Sequence, residues 1–189
     1  MRGFTLVELL ISVSIFATVM VMSLGALLAM SESNRRVESM KSVINTLNFA
    51  LDSMSRSIRT GYSYECNPSP MPFSGDTTPT DCASNPATRF GYMNSDDVSV
   101  AYCLGTVSPL ACSSSGTAIL RSEDGGALAP ITSREVVIQT LSFYVIGAPV
   151  GDSTQPKVTI LLSGYVDVSA TQRSTFNLQT SVTQRIYDQ

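Results

Sequence analysis

The chain has 189 residues, 12 lysines and arginines against 15 acids, four cysteines, no histidine and no tryptophan. Without histidine, a Ser-His-Asp triad and histidine-ligated metal sites are excluded, no glycine-rich phosphate loop follows a strand, and an enzyme is not expected. Residues 60–189 carry six bases against eleven acids, a net charge of −5 that disfavours a nucleic-acid partner.

The chain opens Met1-Arg2-Gly3-Phe4-Thr5-Leu6-Val7-Glu8, and an uncharged, proline-free run follows from Leu9 to Met30. Such a run crosses a bilayer as a helix of about 33 Å at 1.5 Å per residue. Only Ser12, Ser14, Thr18 and Ser23 interrupt it with polar atoms, and Gly25 is its one interior glycine. A cleavable secretory signal has an apolar core of only about 7–15 residues, with its charge ahead of the core. Glu8 is the anomaly, because a carboxylate at membrane depth costs roughly 2.5–3.5 kcal/mol and calls for a neutralising partner.

Gly3-Phe4-Thr5-Leu6-Val7-Glu8 ahead of an unbroken apolar helix resembles the prepilin signal of type IV pilins and type II secretion pseudopilins. The resemblance implies cleavage between Gly3 and Phe4 by a prepilin peptidase on the cytoplasmic side, then N-methylation of Phe4. It also implies that Glu8 meets the α-amino group of a neighbouring subunit. Residues 1–3 are then the leader, 4–30 the membrane and filament-core helix, 31–60 an amphipathic stem helix and 61–189 a globular head. The partners it implies are the peptidase, other pilin or pseudopilin subunits, an inner-membrane assembly platform and, before assembly, lipid. It further implies that the helix sits in the inner membrane with the head outside the cytoplasm.

A count of flanking bases points the other way, since Arg35, Arg36 and Lys41 follow the segment and only Arg2 precedes it. The cysteines support the outward head: Cys66, Cys82, Cys103 and Cys112 all lie beyond the apolar run, an even set suited to an oxidising compartment. Three pairings are open, and the local ones, Cys66 with Cys82 and Cys103 with Cys112, are favoured because each closes a Pro- or Ser-rich loop. Zinc-type spacing is missing.

Beyond Met30, Val37, Met40, Ile44, Leu47, Leu51, Met54 and Ile58 recur at three- and four-residue spacings, a single apolar stripe that predicts continuation of the helix over 5–60, about 80 Å. Gly61 is the stop signal. Gly25 is either a soft point for bending or a small residue permitting close helix contact.

Residues 62–86 turn Pro- and Ser-rich and read as an irregular loop. Strands are predicted at 89–93, 98–104, 118–121, 136–146, 157–168 and 174–187, antiparallel and joined by turns such as Glu123-Asp124-Gly125-Gly126. Val158, Ile160 and Leu162 alternate with Thr159, Leu161 and Ser163, which suits a sheet with one face on the stem. The expected fold is α+β: a long N-terminal helix packed on an antiparallel β head, pilin-like. Asp96, Asp97 and Asp124 lack the ligand spacing of a calcium loop and read as solvated acids, so no cofactor or metal is expected. The end of the chain, Phe176 to Arg185, resembles the last strand of J-type minor pseudopilins, which implies a minor subunit near the filament tip.

Overall fold

A computed structural model describes residues 5–75, 78–169 and 172–185. The fold is α+β, one long N-terminal helix and antiparallel sheets. Helix α1 covers Leu6–Arg59, and the chain divides into two compact units, 1–41 and 42–189.

The first unit is helical from Leu6 onward, and its apolar side chains from Leu6 to Met30 are all exposed in the isolated chain. Leu6–Asn34 has a mean hydropathy of 2.2 and none of its apolar window buried in protein, so its length and composition suit a bilayer crossing.

Among the described residues the second unit contains the rest of α1 and nine strands. Strands β1 (Tyr62–Cys66), β2 (Arg89–Met93), β3 (Ser99–Val107), β5 (Ala118–Glu123) and β6 (Ala129–Pro130) form one antiparallel sheet in that spatial order, with β4 (Leu110–Cys112) added on β3. Strands β7 (Val136–Ile146), β8 (Lys157–Ser169) and β9 (Gln172–Thr183) form a second sheet in the order β7-β8-β9. The two meet where Ala87 bridges Phe143 and the Ile138 N–H donates to the Thr117 carbonyl at 3.0 Å.

The core lies between α1 and the sheets. Val43, Leu47, Leu51, Met54 and Ile58 from the helix join Phe90, Tyr92, Tyr102, Phe143 and Ile160 from the strands in one buried cluster. Rings of Phe90 and Tyr92 stack at 5.7 Å within the first sheet, and Phe90 stacks on Phe143 of the second at 5.2 Å, an aromatic contact across the sheets. The alternation in β8 is as its sequence suggests: Val158, Ile160 and Leu162 are buried, while Thr159, Leu161 and Ser163 stay partly exposed.

Several expectations change. Val37 and Ile44 of the stem stripe are exposed, and Val43 takes the core position instead, because Val43 shares the helix face of Leu47, Ala50, Met54 and Ile58 whereas Ile44 stands at the margin of that face. Residues 62–66 form a strand rather than loop, and the segment after them is tied down by polar bonds. Thr80 N–H donates to the Tyr64 carbonyl at 2.9 Å, and Asn67 Oδ1 accepts from the N–H groups of Thr88 and Arg89 at 3.0 and 3.3 Å. Short strands β4 and β6 add to the first sheet, and β9 ends at Thr183; the predicted continuation to 187 reaches beyond the described residues.

Gly61 ends α1 for a reason other than a left-handed cap. A side chain there would sit 2.3 Å from Tyr92 Cδ2 and 2.8 Å from the Met93 carbonyl oxygen, so glycine is required by close approach of β2. The orphan carbonyls of the last turn are met by the head: Ile58 O accepts from Gly61 N–H at 3.0 Å and Tyr64 OH at 2.7 Å, and Arg59 O from Arg185 N–H at 2.8 Å.

Candidate functional site

The candidate site is the start of the chain. Gly3 and Phe4 lie outside the described residues. Thr5 precedes the first helical residue; its Oγ1 accepts from the Glu8 N–H at 3.4 Å, and its carbonyl accepts from the Leu9 N–H at 3.2 Å. Thr5 is therefore the N-cap of α1 and Glu8 stands three residues into the helix, the Thr-x-x-Glu spacing of a capping box. That spacing is legible in the sequence, yet reading Glu8 as a charge in need of a partner overlooks it.

Glu8 is the acid in the first turn of α1 and its side chain is exposed. A carboxylate there interacts favourably with the positive end of the helix dipole, worth about 0.3–1 kcal/mol, which offsets only part of its desolvation in a membrane. Among the described residues no cation is bonded to it.

The hydroxyls that interrupt the apolar run are satisfied within the helix. Ser12 Oγ donates to the Glu8 carbonyl at 2.8 Å, Ser14 to Ile11 at 2.9 Å, Thr18 to Ile15 at 2.8 Å and Ser23 to Val19 at 2.8 Å. A hydroxyl bonded to its own preceding turn enters an apolar medium with its proton donated, so the segment reads as apolar along its whole surface. Glu8 is its exception. No atom lies within 4 Å of the position a Gly25 side chain would begin, so nothing in the isolated chain requires glycine there.

Residues 1–30 match the family model of the prokaryotic N-terminal methylation motif. The match supports a prepilin-type signal at the head of the chain, and with it processing by prepilin peptidase and pilin-type assembly. It covers the apolar helix and leaves the head unassigned. Neither the curated proteins nor the solved structures contain a match to the chain. The apolar helix and the signal together are consistent with single-pass membrane anchoring.

In the head, Cys66 is bonded to Cys82 with Cα atoms 6.1 Å apart, and Cys103 to Cys112 at 5.7 Å. The first ties the end of β1 to a loop residue whose N–H donates to Val145 of β7 at 3.0 Å, so it sits where the two sheets meet. The second spans the β3–β4 hairpin. Beside Cys82, Asp81 caps the turn after β7, accepting from the N–H groups of Gly147 and Ala148 at 3.2 and 2.8 Å.

Asp97 accepts from the Tyr62 hydroxyl at 2.5 Å, a bond that raises the Tyr62 phenol above its ordinary value. Asp124 occupies the turn after β5 in a left-handed conformation. Among the described residues no group of three or more histidines, cysteines or acids is placed to hold a metal ion.

Proposed function

We propose that this chain is a non-enzymatic structural subunit of a type IV pilus-like or type II secretion pseudopilus filament. Prepilin peptidase removes residues 1–3, the new Phe4 amine is methylated, and the chain waits in the inner membrane with its head outside the cytoplasm. An assembly platform then draws the apolar helix into the filament core. The observation that carries this reading is Glu8: a carboxylate with no ion-pair partner among the described residues, at the start of a 29-residue apolar segment with none of its apolar window buried, inside a stretch matching a methylation motif. Helix packing through apolar side chains defines axial register weakly, whereas a desolvated ion pair between Glu8 and the Phe4 amine of a neighbour defines it strongly. Phe4, Glu8 and Gly25 act in assembly, the first two as that pair and Gly25 where the helix bends or packs closely.

The subunit is a minor one of the J type, on the likeness of its last strand to those proteins. A DNA-uptake role is less favoured, because the head carries a net charge of −5. The competing reading is an anchored binding domain that never polymerises, to which Glu8 is dispensable. Replacing Glu8 by Leu in cells and assaying sheared filaments separates them. Loss of the subunit from filaments, with normal membrane levels, is expected; undiminished incorporation contradicts assembly through Glu8.

A further inference from the structure

Strand β9 is an edge strand, since among the described residues it pairs only with β8. Its register with β8 is unbroken from Arg173 to Thr183, so alternate residues along this length turn their N–H and C=O groups away from the sheet. Exposed edges are normally blunted by short length, a lysine, a proline, a bulge or a covering segment. The other edges show such devices. β6 is two residues long and ends in Pro130, β1 is bulged at Ser63, and β7 is partly covered by Ala87 and Thr117. From Thr175 to Thr183, β9 shows none among the described residues.

The side chains along this edge are self-complementary. Thr175, Asn177, Gln179 and Ser181 face outward and are uncharged. Phe176 and Leu178 face inward and remain half-exposed at the rim of the core. The one charge, Arg173, is turned back onto Asp167 at 2.8 Å and over the Tyr165 ring at 4.3 Å, so it repels nothing approaching the edge.

We infer that β9 pairs antiparallel with β9 of a second copy of this chain, joining two three-stranded sheets into one of six strands. The pleat allows only registers that keep the polar face on the polar face. Centring the two-fold axis on Asn177 sets Phe176 of each copy opposite Leu178 of the other, which closes the open rim of both cores. It also sets Thr175 opposite Gln179 and Arg173 opposite Ser181, with no like charges opposed. The overlap of residues 173–181 runs for about 30 Å at the rise of an antiparallel strand. This pairing uses the head alone and does not rest on filament assembly.

The test is the mass of the full chain in detergent, measured by sedimentation or native mass spectrometry, for three proteins. The unaltered chain is expected to be a dimer. Thr175→Lys with Gln179→Lys opposes lysines twice across the seam and is expected to raise the dimer dissociation constant roughly tenfold or more, whereas Thr175→Lys with Gln179→Glu opposes unlike charges and restores it. Both altered residues, Thr175 and Gln179, are exposed, so the head folds in each protein. A monomeric unaltered chain, whether because another protein's strand takes the edge or none does, overturns the inference. So does a doubly lysine-substituted chain that dimerises as before, which assigns the dimer to the apolar helices.

Discussion

The Tyr64 phenol donates to the Ile58 carbonyl at 2.7 Å, crossing from β1 to the last turn of α1. Six residues separate donor and acceptor, and between them Gly61 lets the chain turn hard against Tyr92. With Ser57 Oγ 2.6 Å from the Tyr92 hydroxyl and Arg185 N–H on the Arg59 carbonyl, the head grips the end of the helix by its polar atoms as well as its apolar stripe. This grip gives any force borne by the helix a rigid attachment to the head.

Tyr64→Phe removes that donor and leaves the Ile58 carbonyl with the Gly61 N–H alone. A buried acceptor that loses one of two partners costs about 1 kcal/mol, so the melting temperature of the head should fall by roughly 2–4 °C. Differential scanning calorimetry of the full chain in detergent checks this, and no change would mean that the carbonyl does not need the phenol.

Gly61→Ala should be far worse than Gly25→Ala. The new methyl at 61 meets Tyr92 at 2.3 Å and a backbone oxygen at 2.8 Å, and overpacking of this kind costs about 1–3 kcal/mol. At 25 no atom lies within 4 Å, and alanine is the better helix former by about 1 kcal/mol. Circular dichroism melts of the two variants should therefore move in opposite directions or leave Gly25→Ala unchanged.

Burial holds the phenols of Tyr64 and Tyr92 above their ordinary range, with Tyr102 beside Tyr92 adding to the effect. In the unfolded chain each ionises near pH 10, while in the folded head both keep their protons. Their contribution to stability is complete below that pH and falls as pH rises above it, because the unfolded state alone releases the protons. Denaturation midpoints measured between pH 8 and 11 should decline above about 10, and Tyr92→Phe should lessen the decline.

Replacing Cys66 and Cys82 by serine opens a loop with a sequence separation of 16. Chain-entropy reasoning puts the loss at about 3 kcal/mol, seen as a lower unfolding temperature without reductant. Since this bond lies where the sheets meet, the bridge between Ala87 and β7 should also loosen, and amide exchange at Ala87 and Phe143, which exchange N–H···O bonds of 2.8–2.9 Å, should quicken.

The helix, the two long hairpin strands β7 and β8, and the α+β class were legible because each rests on periodicity within its own segment. What was missed depends on contacts distant in sequence. β1 reads as loop, since its residues pair with β2 some thirty positions later, around a bulge at Ser63. The two-sheet division is set by where Phe143 and Phe90 stack, which no local pattern encodes. Ile44 and Val43 both fit a three- and four-residue spacing, and only the position of the sheets around the helix decides which of the two faces the core. At the N-terminus, Thr5 and Glu8 were legible as neighbours in a motif, and their capping bond was open to the same reading.

Processing of the helix at its start, ahead of its use as an assembly surface, is read most directly from the mass of the N-terminal peptide of protein purified out of cells. A chain that begins at Phe4 and carries one added methyl group on its amine is expected. An intact Met1, or a new N-terminus near Ala29, would contradict that processing and leave an anchored or secreted β-rich domain.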